Sequence, residues 1–418
     1  GLPARGCIPY THSFTPVVNT LDNVTSYLWD FGDGSPTSTS PNPTHTYTVQ
    51  GTYTVKLFIT TSTGCTDSAV IVNGIRVGSK PIADFSATPI PVCAYQQVQF
   101  TDLSSTVDEW RWDFGDGTIS NLQNPTHIYT DTGYFTVRLI ATNNGCSDTL
   151  IRTNYIQVLP PIARFTATAN CNNRLEFSFT DQSIGAVTWL WDFGDGSPTS
   201  SLQNPIHVFP ALGAYTVRLT VTNGSCTHFI TRTVRTIQQV PDFTADATII
   251  CRRDSITFTP SNITPSLTSS LLWRFGNGVT ITSTAAPTRF AYPASGNYTV
   301  TLVARDINGC LDSIVKTNYI RVNGPVANFN AVNTQGCTGL VATFNDLSVT
   351  DGINAITSWR FDFGDGNVQT FTSPPFQHNY STPGTFNVKL VVTDASGCSD
   401  SLTRVNLITT TDPVPNFT

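Results

Sequence analysis

The sequence predicts an all-β protein, a tandem array of immunoglobulin-like sandwiches in an extended rod. Three observations carry that prediction. A hexapeptide, Trp-Asp-Phe-Gly-Asp-Gly, stands at Trp29–Gly34, Trp112–Gly117 and Trp191–Gly196. It decays to Trp273-Arg274-Phe275-Gly276-Asn277-Gly278 and returns as Phe361-Asp362-Phe363-Gly364-Asp365-Gly366. The spacings are 83, 79, 82 and 88 residues, which marks one unit repeated five times. In each copy, large apolar residues two apart alternate with polar ones and then meet a glycine-rich turn. That is a half-buried strand running into a bend that needs positive φ. Finally, short alternating runs bounded by Gly, Pro and Asn fill the rest of every unit.

The second repeat shows the elements most clearly. Pro81-Ile82-Ala83-Asp84-Phe85 opens a first strand, which Pro89 and Pro91 break. Gln97 to Asp102 is the second, with Val98 and Phe100 on one face. Glu109 to Phe114 is the third, with Trp110, Trp112 and Phe114 sharing a face. Asn124-Pro125-Thr126-His127-Ile128-Tyr129 starts another short strand. Gly133 to Asn143 is the longest, with Phe135, Val137, Leu139 and Ala141 inward. Asn144-Gly145 makes a hairpin turn, and Thr149 to Val158 closes the unit. About seven short strands in some 80 residues is the pattern of an immunoglobulin-like sandwich. The aromatic residue opening each long strand (Tyr53, Phe135, Tyr215, Tyr298, Phe386) stands where a tyrosine corner would be. The units fall at 1–79, 80–159, 160–239, 240–323 and 324–411.

Composition narrows the function classes. Charged residues are only 12% of the chain and Met is absent, which suits a neutral extracellular surface. A net charge of −6 over five units offers no basic patch for nucleic acid or an anionic membrane. No apolar run approaches the ~18–20 residues that span a bilayer. No signal peptide opens the sequence, so it reads as a mature or excised piece. The ten cysteines come two per repeat: Cys7 and Cys65, Cys93 and Cys146, Cys171 and Cys226, Cys251 and Cys310, Cys337 and Cys398. None lies in a CxxC pair, so zinc has no support. Their even count in small β units points to disulfides and an oxidising compartment, with reduced core cysteines as the alternative.

The run Trp-Asp-Phe-Gly-Asp-Gly, then Asn-Pro-Thr-His-x-Tyr, then Gly-x-Tyr-Thr-Val-x-Leu resembles the PKD (polycystic kidney disease) domain over essentially the whole chain. The added cysteines, as in Pro91-Val92-Cys93 and Gly145-Cys146-Ser147-Asp148, are similar to those of tandem PKD modules in large secreted proteins of the Bacteroidota. That group includes surface and gliding-motility adhesins exported by the type IX system. Repeat 4 departs most: Arg274 and Asn277 replace acidic residues, and Arg289 fills the place of the recurrent His.

The two ends read as complementary. Repeat 1 has no Pro-x-Ala-x-Phe strand before Cys7, while Pro413-Val414-Pro415-Asn416-Phe417-Thr418 looks like the first strand of a further repeat (412–418). One reading is a window of a longer array. The other is a strand-addition polymer, in which Asn416-Phe417-Thr418 completes repeat 1 of the next copy.

In an immunoglobulin-like topology, Cys93 and Cys146 lie at opposite poles of their sandwich, roughly 40 Å apart at ~3.3 Å per residue. A disulfide spans only about 6 Å between Cα atoms. Staggered bridges between repeats follow: Cys7–Cys146, Cys93–Cys226, Cys171–Cys310 and Cys251–Cys398. Cys65 and Cys337 then bond neighbouring repeats outside this chain, or each other between successive copies. The rival is one bridge inside each repeat. Staples at every joint would make the array a stiff rod of about 200 Å.

Other candidate sites have plainer readings. Asp30, Asp33, Asp113, Asp116, Asp192, Asp195, Asp362 and Asp365 could suggest calcium. Calcium wants six to eight oxygens, however, and each turn offers two carboxylates, so turn chemistry is preferred. His45, His127, His207 and His378 lack a recurrent nucleophile, and structural hydrogen bonding is preferred to catalysis. The pairs Trp110/Trp112 and Trp189/Trp191 read as core rather than as a sugar platform. The Asp-Ser/Thr-aliphatic triplets resemble the O-glycosylation sequence of the Bacteroidota, which would place glycans at Ser68, Thr149, Ser255, Ser313 and Ser401. The alternative is that these residues simply start the last strand. The expectation is therefore no enzyme, cofactor or metal. The chain reads as the structural or adhesive shaft of a secreted surface fibre, with neighbouring repeats or copies as partners and surface glycans or proteins as further candidates. The alternative is a carbohydrate- or protein-binding accessory array of a secreted hydrolase.

Overall fold

The computed structural model describes residues 1–284 and 286–413. They form two compact units: 1–167 with 179–205 and 215–234, and 168–178 with 206–214 and 235 onward.

In the first unit, repeat 2 is a two-sheet sandwich. One sheet has the order Ile119–Ser120, Glu109–Asp113, Gly133–Asn143, Cys146–Leu159, Val92–Cys93; the other is Thr126–Ile128, Gln97–Asp102, Phe85–Thr88. Alternation along the strands builds the core between them. Val137, Leu139 and Ala141 from the long strand meet Val98 and Phe100 from the facing sheet, with Trp112 between, all fully buried. Trp110, expected in the same core, is only partly buried; its indole N–H donates to Asp102 at 2.7 Å. The two-residue strand Val92–Cys93 is an addition to the sequence reading. Pro89 and Pro91 end the opening strand, and the chain then crosses to the other sheet, where Val92 and Cys93 pair parallel with Val158 and Leu159.

Repeat 1 has the same two sheets with one strand fewer in each, four and two, and the place of Ile119–Ser120 is taken by the single bridge of Ser38 to Trp29. Ala4–Cys7 runs parallel to the Thr66–Gly78 strand, and Tyr10–Ser13 pairs with Thr44–Tyr47 alone. From repeat 3, the first unit holds Thr188–Asp192 paired antiparallel along Arg218–Thr222.

The second unit holds repeats 4 and 5 as 5+3 sandwiches, and from repeat 3 the pairing of Glu176–Ser178 with Ile206–Val208. The closing strands of repeats 1, 2, 4 and 5 share a bulge. Asn73, Asn154, Asn318 and Asn406 sit at φ of 55°, 50°, 50° and 54°, opposite a register shift in the long strand. The terminal segment expected to open a further repeat lies, from Val414 on, outside the described residues.

Candidate functional site at the repeat joints

The joints are where repeated chemistry converges. Cys93 lies beside Leu159, at the far end of the strand that Cys146 begins. About 13 residues at ~3.3 Å each keep the two cysteines of one repeat some 40 Å apart. Each first cysteine meets the second cysteine of the next repeat instead. The structure closes Cys7–Cys146, Cys93–Cys226, Cys171–Cys310 and Cys251–Cys398, with Cα–Cα distances of 4.5, 5.6, 5.3 and 5.3 Å. These coincide with the staggered pairs. Cys65 and Cys337 are free and exposed.

The second cysteine is aimed by its hairpin. In repeats 4 and 5, Asp306 and Asp394 accept the N–H groups of Cys310 and Cys398 at 2.9 and 3.0 Å, and also those of Asn308 and Ser396. Repeat 2 reaches the same place with the positive-φ pair Asn144-Gly145.

Two residues after that cysteine comes the Asp of the Asp-Ser/Thr triplet. Asp148 accepts the Ala83 N–H at 3.1 Å and pairs with Lys80. Asp312 accepts the Gln239 N–H at 3.2 Å and pairs with Arg174 of the preceding repeat at 2.9 Å. Asp400 accepts the Ala327 N–H at 2.9 Å and pairs with Arg252 and Arg253 at 2.5 and 3.1 Å. Burial raises the Asp400 pKa, but the Ala327 N–H and Arg252 outweigh it and hold it below the usual carboxylate range. Repeat 3 places His228 there instead. Its Nδ1 accepts the Ala163 N–H at 2.9 Å, its ring stacks on Tyr95 of repeat 2 at 4.3 Å, and burial lowers its pKa. This Asp/His clamp fixes the linker against the disulfide.

Further ties cross individual joints. Arg5 and Arg76 of repeat 1 pair with Glu109 and Asp108 of repeat 2 at 3.1 and 3.0 Å. Between repeats 4 and 5, Asp351 accepts the linker Gly324 N–H at 3.4 Å and faces Arg321 at 3.6 Å. Burial opposes ionisation of Asp351, yet the amides of Asn354, Ile353 and Gly324 bring its pKa down to about 2.

The Gly-Asp-Gly turn is two successive Asx turns. Asp113 accepts the Gly115 N–H at 3.1 Å and Asp116 the Thr118 N–H at 3.0 Å. Gly115 has φ +84°, and a Cβ there would collide with the Thr136 carbonyl oxygen. The remaining carboxylate capacity is taken by basic partners: Asp30 by Lys56 and Asp113 by Arg138.

The His side chains donate to the second Asp. His45 to Asp33 is 2.8 Å; His127 to Asp116 and His378 to Asp365 are 2.7 Å. Each ring stacks on the motif phenylalanine, at 4.1 Å (Phe31), 4.3 Å (Phe114) and 4.0 Å (Phe363). In repeats 1 and 2 a hydroxyl, Ser35 or Thr118, donates to the same Asp. The same hydroxyl oxygen lies 3.4 Å from the imidazole Nε2 in both repeats, so carboxylate, hydroxyl and ring form one closed hydrogen-bonded cluster. Burial raises the pKa of Asp33, Asp116 and Asp365, and these hydrogen bonds overcome it, leaving all three lowered.

Repeat 4 corrects one assignment. Phe290, not Arg289, occupies the His position: it stacks on Phe275 at 4.0 Å and pairs with Ile256, as His127 pairs with Val98. Repeat 4 has one more residue between Pro287 and Tyr292 than repeat 2 has between Pro125 and Tyr129, and register is set from the tyrosine. Repeat 4 has therefore lost the Asp and the His together, as Asn277 and Phe290.

The model of the PKD domain matches residues 11–77, 78–158, 159–236, 238–322 and 323–409. The chain belongs to the PKD domain family. Among curated relatives, human polycystin-1 is 26% identical over 395 residues, 87% of this chain and 9% of polycystin-1. Microbial collagenase of Vibrio alginolyticus is 54% identical over 76 residues, 18% of this chain and 9% of the collagenase. The pre-pro-metalloprotease PrtV of Vibrio cholerae is 32% identical over 120 residues, 28% of this chain and 13% of PrtV. This chain thus spans about a tenth of the length of each. Among solved structures, the PKD1 domain of PrtV is 30% identical over 21% of this chain and 99% of that domain, with a TM-score of 0.18. The eight N-terminal Ig domains of DSCAM are 11% identical over 96% of this chain and 67% of theirs, with a TM-score of 0.30.

In these PKD repeats Ser68, Thr149, Ser255, Ser313 and Ser401 are all exposed on strands. Sequence reading missed a second aromatic position. Tyr47, Tyr129 and Tyr380 are buried and donate to the Phe31, Phe114 and Phe363 carbonyls at 3.0, 3.1 and 3.1 Å. Each also packs on the aromatic that opens the long strand (Tyr53, Phe135, Phe386), as Tyr292 packs on Tyr298 in repeat 4, and Tyr53 and Tyr298 donate to the carbonyls of Val49 and Ala294. The signal was available, since a Tyr recurs two residues after each of these His side chains.

Proposed function

We propose that the chain is the load-bearing, adhesive shaft of a secreted surface fibre or giant adhesin of the Bacteroidota kind, placed outside the cell and exported by a type IX route. The observation that carries this reading is the overlap of the four disulfide loops. Each bridge begins within a repeat that the previous bridge has already tied. Tension applied to the ends therefore bypasses most of the backbone. The shortest covalent path from end to end runs through about 100 residues, so full extension is roughly 35 nm, against about 140 nm for the reduced chain at 3.3–3.6 Å per residue. Exposed hydroxyls beside the clamping Asp are open to glycosylation, which would cover strand edges without disturbing the joints.

Stretching single molecules between their ends tests the reading. The oxidised chain is expected to stop near a quarter of the reduced extension. Equal extension in both states would remove the load-bearing role. A second reading, an accessory array of a secreted hydrolase that binds carbohydrate or protein, is favoured by the matches to a collagenase and a metalloprotease. A catalytic domain in the parent chain, together with retention of the array on that enzyme's substrate, would select it.

A further inference from the structure

One of the four bridges is built differently at its first cysteine. In repeats 2 and 4 that cysteine ends a short strand on the edge of the large sheet: Cys93 pairs parallel with Leu159, and Cys251 with Asn323. Repeat 3 has no such strand among the described residues, and its large sheet holds three strands where those of repeats 2 and 4 hold five. The cause is chain length. Cys171 follows Phe165 by six residues, whereas Cys93 follows Phe85 and Cys251 follows Phe243 by eight. Crossing between sheets about 10 Å apart takes some three extended residues, so two residues fewer keep the segment in its own sheet. Phe165–Asn170 therefore passes straight into its neighbour Asn173–Asp181. Cys171 and Asn172 form the turn between them, where the Asn172 N–H donates to Asn170 Oδ1 at 3.0 Å.

At the tip of this turn Cys171 is exposed, and the two asparagines that follow it are exposed and neutral. Cys93 and Cys251 are half-buried. The partners Cys226, Cys310 and Cys398 are all buried. The buried ends of the Cys171–Cys310 and Cys251–Cys398 bridges are alike, since Asp306 and Asp394 accept the N–H groups of Cys310 and Cys398. The two bridges differ at the first cysteine. Around Cys251 the joint is crowded: a Cβ on Gly324 would stand 3.4 Å from the Cys398 Cβ and 3.6 Å from the Arg252 Cβ. Arg252 is itself held to Asp400 with 10% of its side chain exposed. Cys7 is exposed as well, but it ends the strand Ala4–Cys7 and pairs with Gly78.

We propose that Cys171 is a thiol-exchange site of the array, at which a small external thiol opens the Cys171–Cys310 bridge before any other. Exchange needs a thiolate to approach the sulfur in line with the S–S bond, so access selects which sulfur is attacked. The incoming thiolate bonds to Cys171 Sγ, the bond to Cys310 Sγ breaks, and its electron pair leaves on Cys310 Sγ, which takes a proton from water. Cys171 then carries the thiol as a mixed disulfide. A second thiolate attacks the small molecule's own sulfur and expels the Cys171 thiolate, which is protonated in turn. Two external thiols give up two electrons and leave as their disulfide, and the bridge is reduced to two thiols.

The place of this bridge in the covalent network gives the exchange a use. The shortest path from end to end runs through Cys7–Cys146, Cys93–Cys226 and Cys251–Cys398 and leaves Cys171–Cys310 aside. The joint also keeps its ion pairs when the bridge opens. Arg174, with 12% of its side chain exposed, pairs with Asp306 at 3.3 Å and Asp312 at 2.9 Å. A thiol can therefore be attached to repeat 3 while the path that carries tension stays whole. The bypass rests on the tension-carrying role proposed above; the order of reactivity rests on the turn alone.

The test uses the oxidised 418-residue chain carrying C65S and C337S, so that every protein thiol detected has come from a bridge. Reduced glutathione is added at about pH 8 without denaturant, samples are blocked with N-ethylmaleimide over time, and the peptides are mapped by mass. Loss of Cys171–Cys310 is expected to be about tenfold faster than loss of Cys93–Cys226 or Cys251–Cys398, with glutathione recovered on Cys171 and the maleimide on Cys310. Glutathione on Cys310 instead would overturn the proposal. So would any other bridge opening first, or all four opening together, which would make global unfolding the gate. In the stretching experiment C171S/C310S is expected to keep the extension of the oxidised chain, whereas C251S/C398S adds about 12 nm. A gain of that size from C171S/C310S would overturn the bypass. The exchange order is read without force, so its failure and that of the tension-carrying role are told apart.

Discussion

Asp400→Asn is the sharpest single perturbation of a joint. It removes the charge from a carboxylate shared by Arg252, Arg253 and the Ala327 N–H, and preserves its shape. The Asp400 and Arg252 side chains are 9% and 10% exposed, while Arg253 is 69% exposed. Loss of the Arg253 pairing costs less than about 1 kcal/mol. Leaving Arg252 buried without its partner costs about 3–5 kcal/mol, provided it cannot reach water. The Cys251–Cys398 bridge adjoins both residues and denies Arg252 that escape. In the oxidised protein D400N is therefore expected to cost about 3 kcal/mol, or on the order of 10–20 °C in Tm for a domain of this size. In a C251A/C398A background the joint can open and hydrate Arg252, and the cost falls below about 1 kcal/mol. Urea denaturation of the four proteins of this cycle gives both numbers. Equal cost in the two backgrounds would refute the reasoning, because the staple would then play no part in holding the charge dry.

Other outcomes follow from the turns and clamps. G117A places a side chain at φ +90° in open space and is expected to cost about 1–2 kcal/mol; G115A adds the collision with the Thr136 carbonyl and should cost clearly more in the same urea titration. D116N leaves one oxygen where two accept from Thr118 and His127, so one of these donors loses its acceptor, and it is expected to cost about 1–3 kcal/mol, whereas D116N/H127F, which copies repeat 4, should recover most of that loss; a double variant worse than D116N would contradict the paired exchange. Asp33, Asp116, Asp351, Asp365 and Asp400 have folded pKa values below their unfolded ones, Asp351 at about 2. The unfolded chain then binds protons more tightly, so their contribution is full above about pH 4 and drains away as pH falls towards 2; a Tm that rises across that range would count against these assignments. His228 has the opposite charge type but the same direction. Its lowered pKa means that protonation favours the open joint, so the protection factor of the Ala163 amide (its exchange rate relative to the intrinsic rate at the same pH) is expected to fall as pH drops below about 6.5, and an unchanged protection factor down to pH 4.5 would contradict the clamp.

Most of the fold was legible because local rules agree with one another here. Strand alternation, Asx turns and Pro-marked breaks all act over a few residues, and each leaves its mark on the sequence. The Gly133–Asn143 strand and its buried Val137, Leu139 and Ala141 were readable for that reason. The stagger of the cysteines was readable from strand length, since one strand separates Cys93 from Cys146 across the sandwich. The clamps were not. Asp148, Asp312 and Asp400 look like strand-starting residues until the linker is folded back onto them, and the contact joins groups 65–73 residues apart. His228 shows the same limit more plainly, because its role depends on Tyr95 from another repeat. The Arg289 assignment failed because an inserted residue was counted from the proline side, whereas packing counts from Tyr292.

The central claim is that the bridges join neighbouring repeats, and disulfide mapping of the oxidised 418-residue chain, digested without reduction, tests it directly. Linked peptides containing Cys93 with Cys226, and Cys171 with Cys310, are the predicted result. Recovery of Cys93 joined to Cys146, or Cys171 to Cys226, would place the bridges inside the repeats and contradict it.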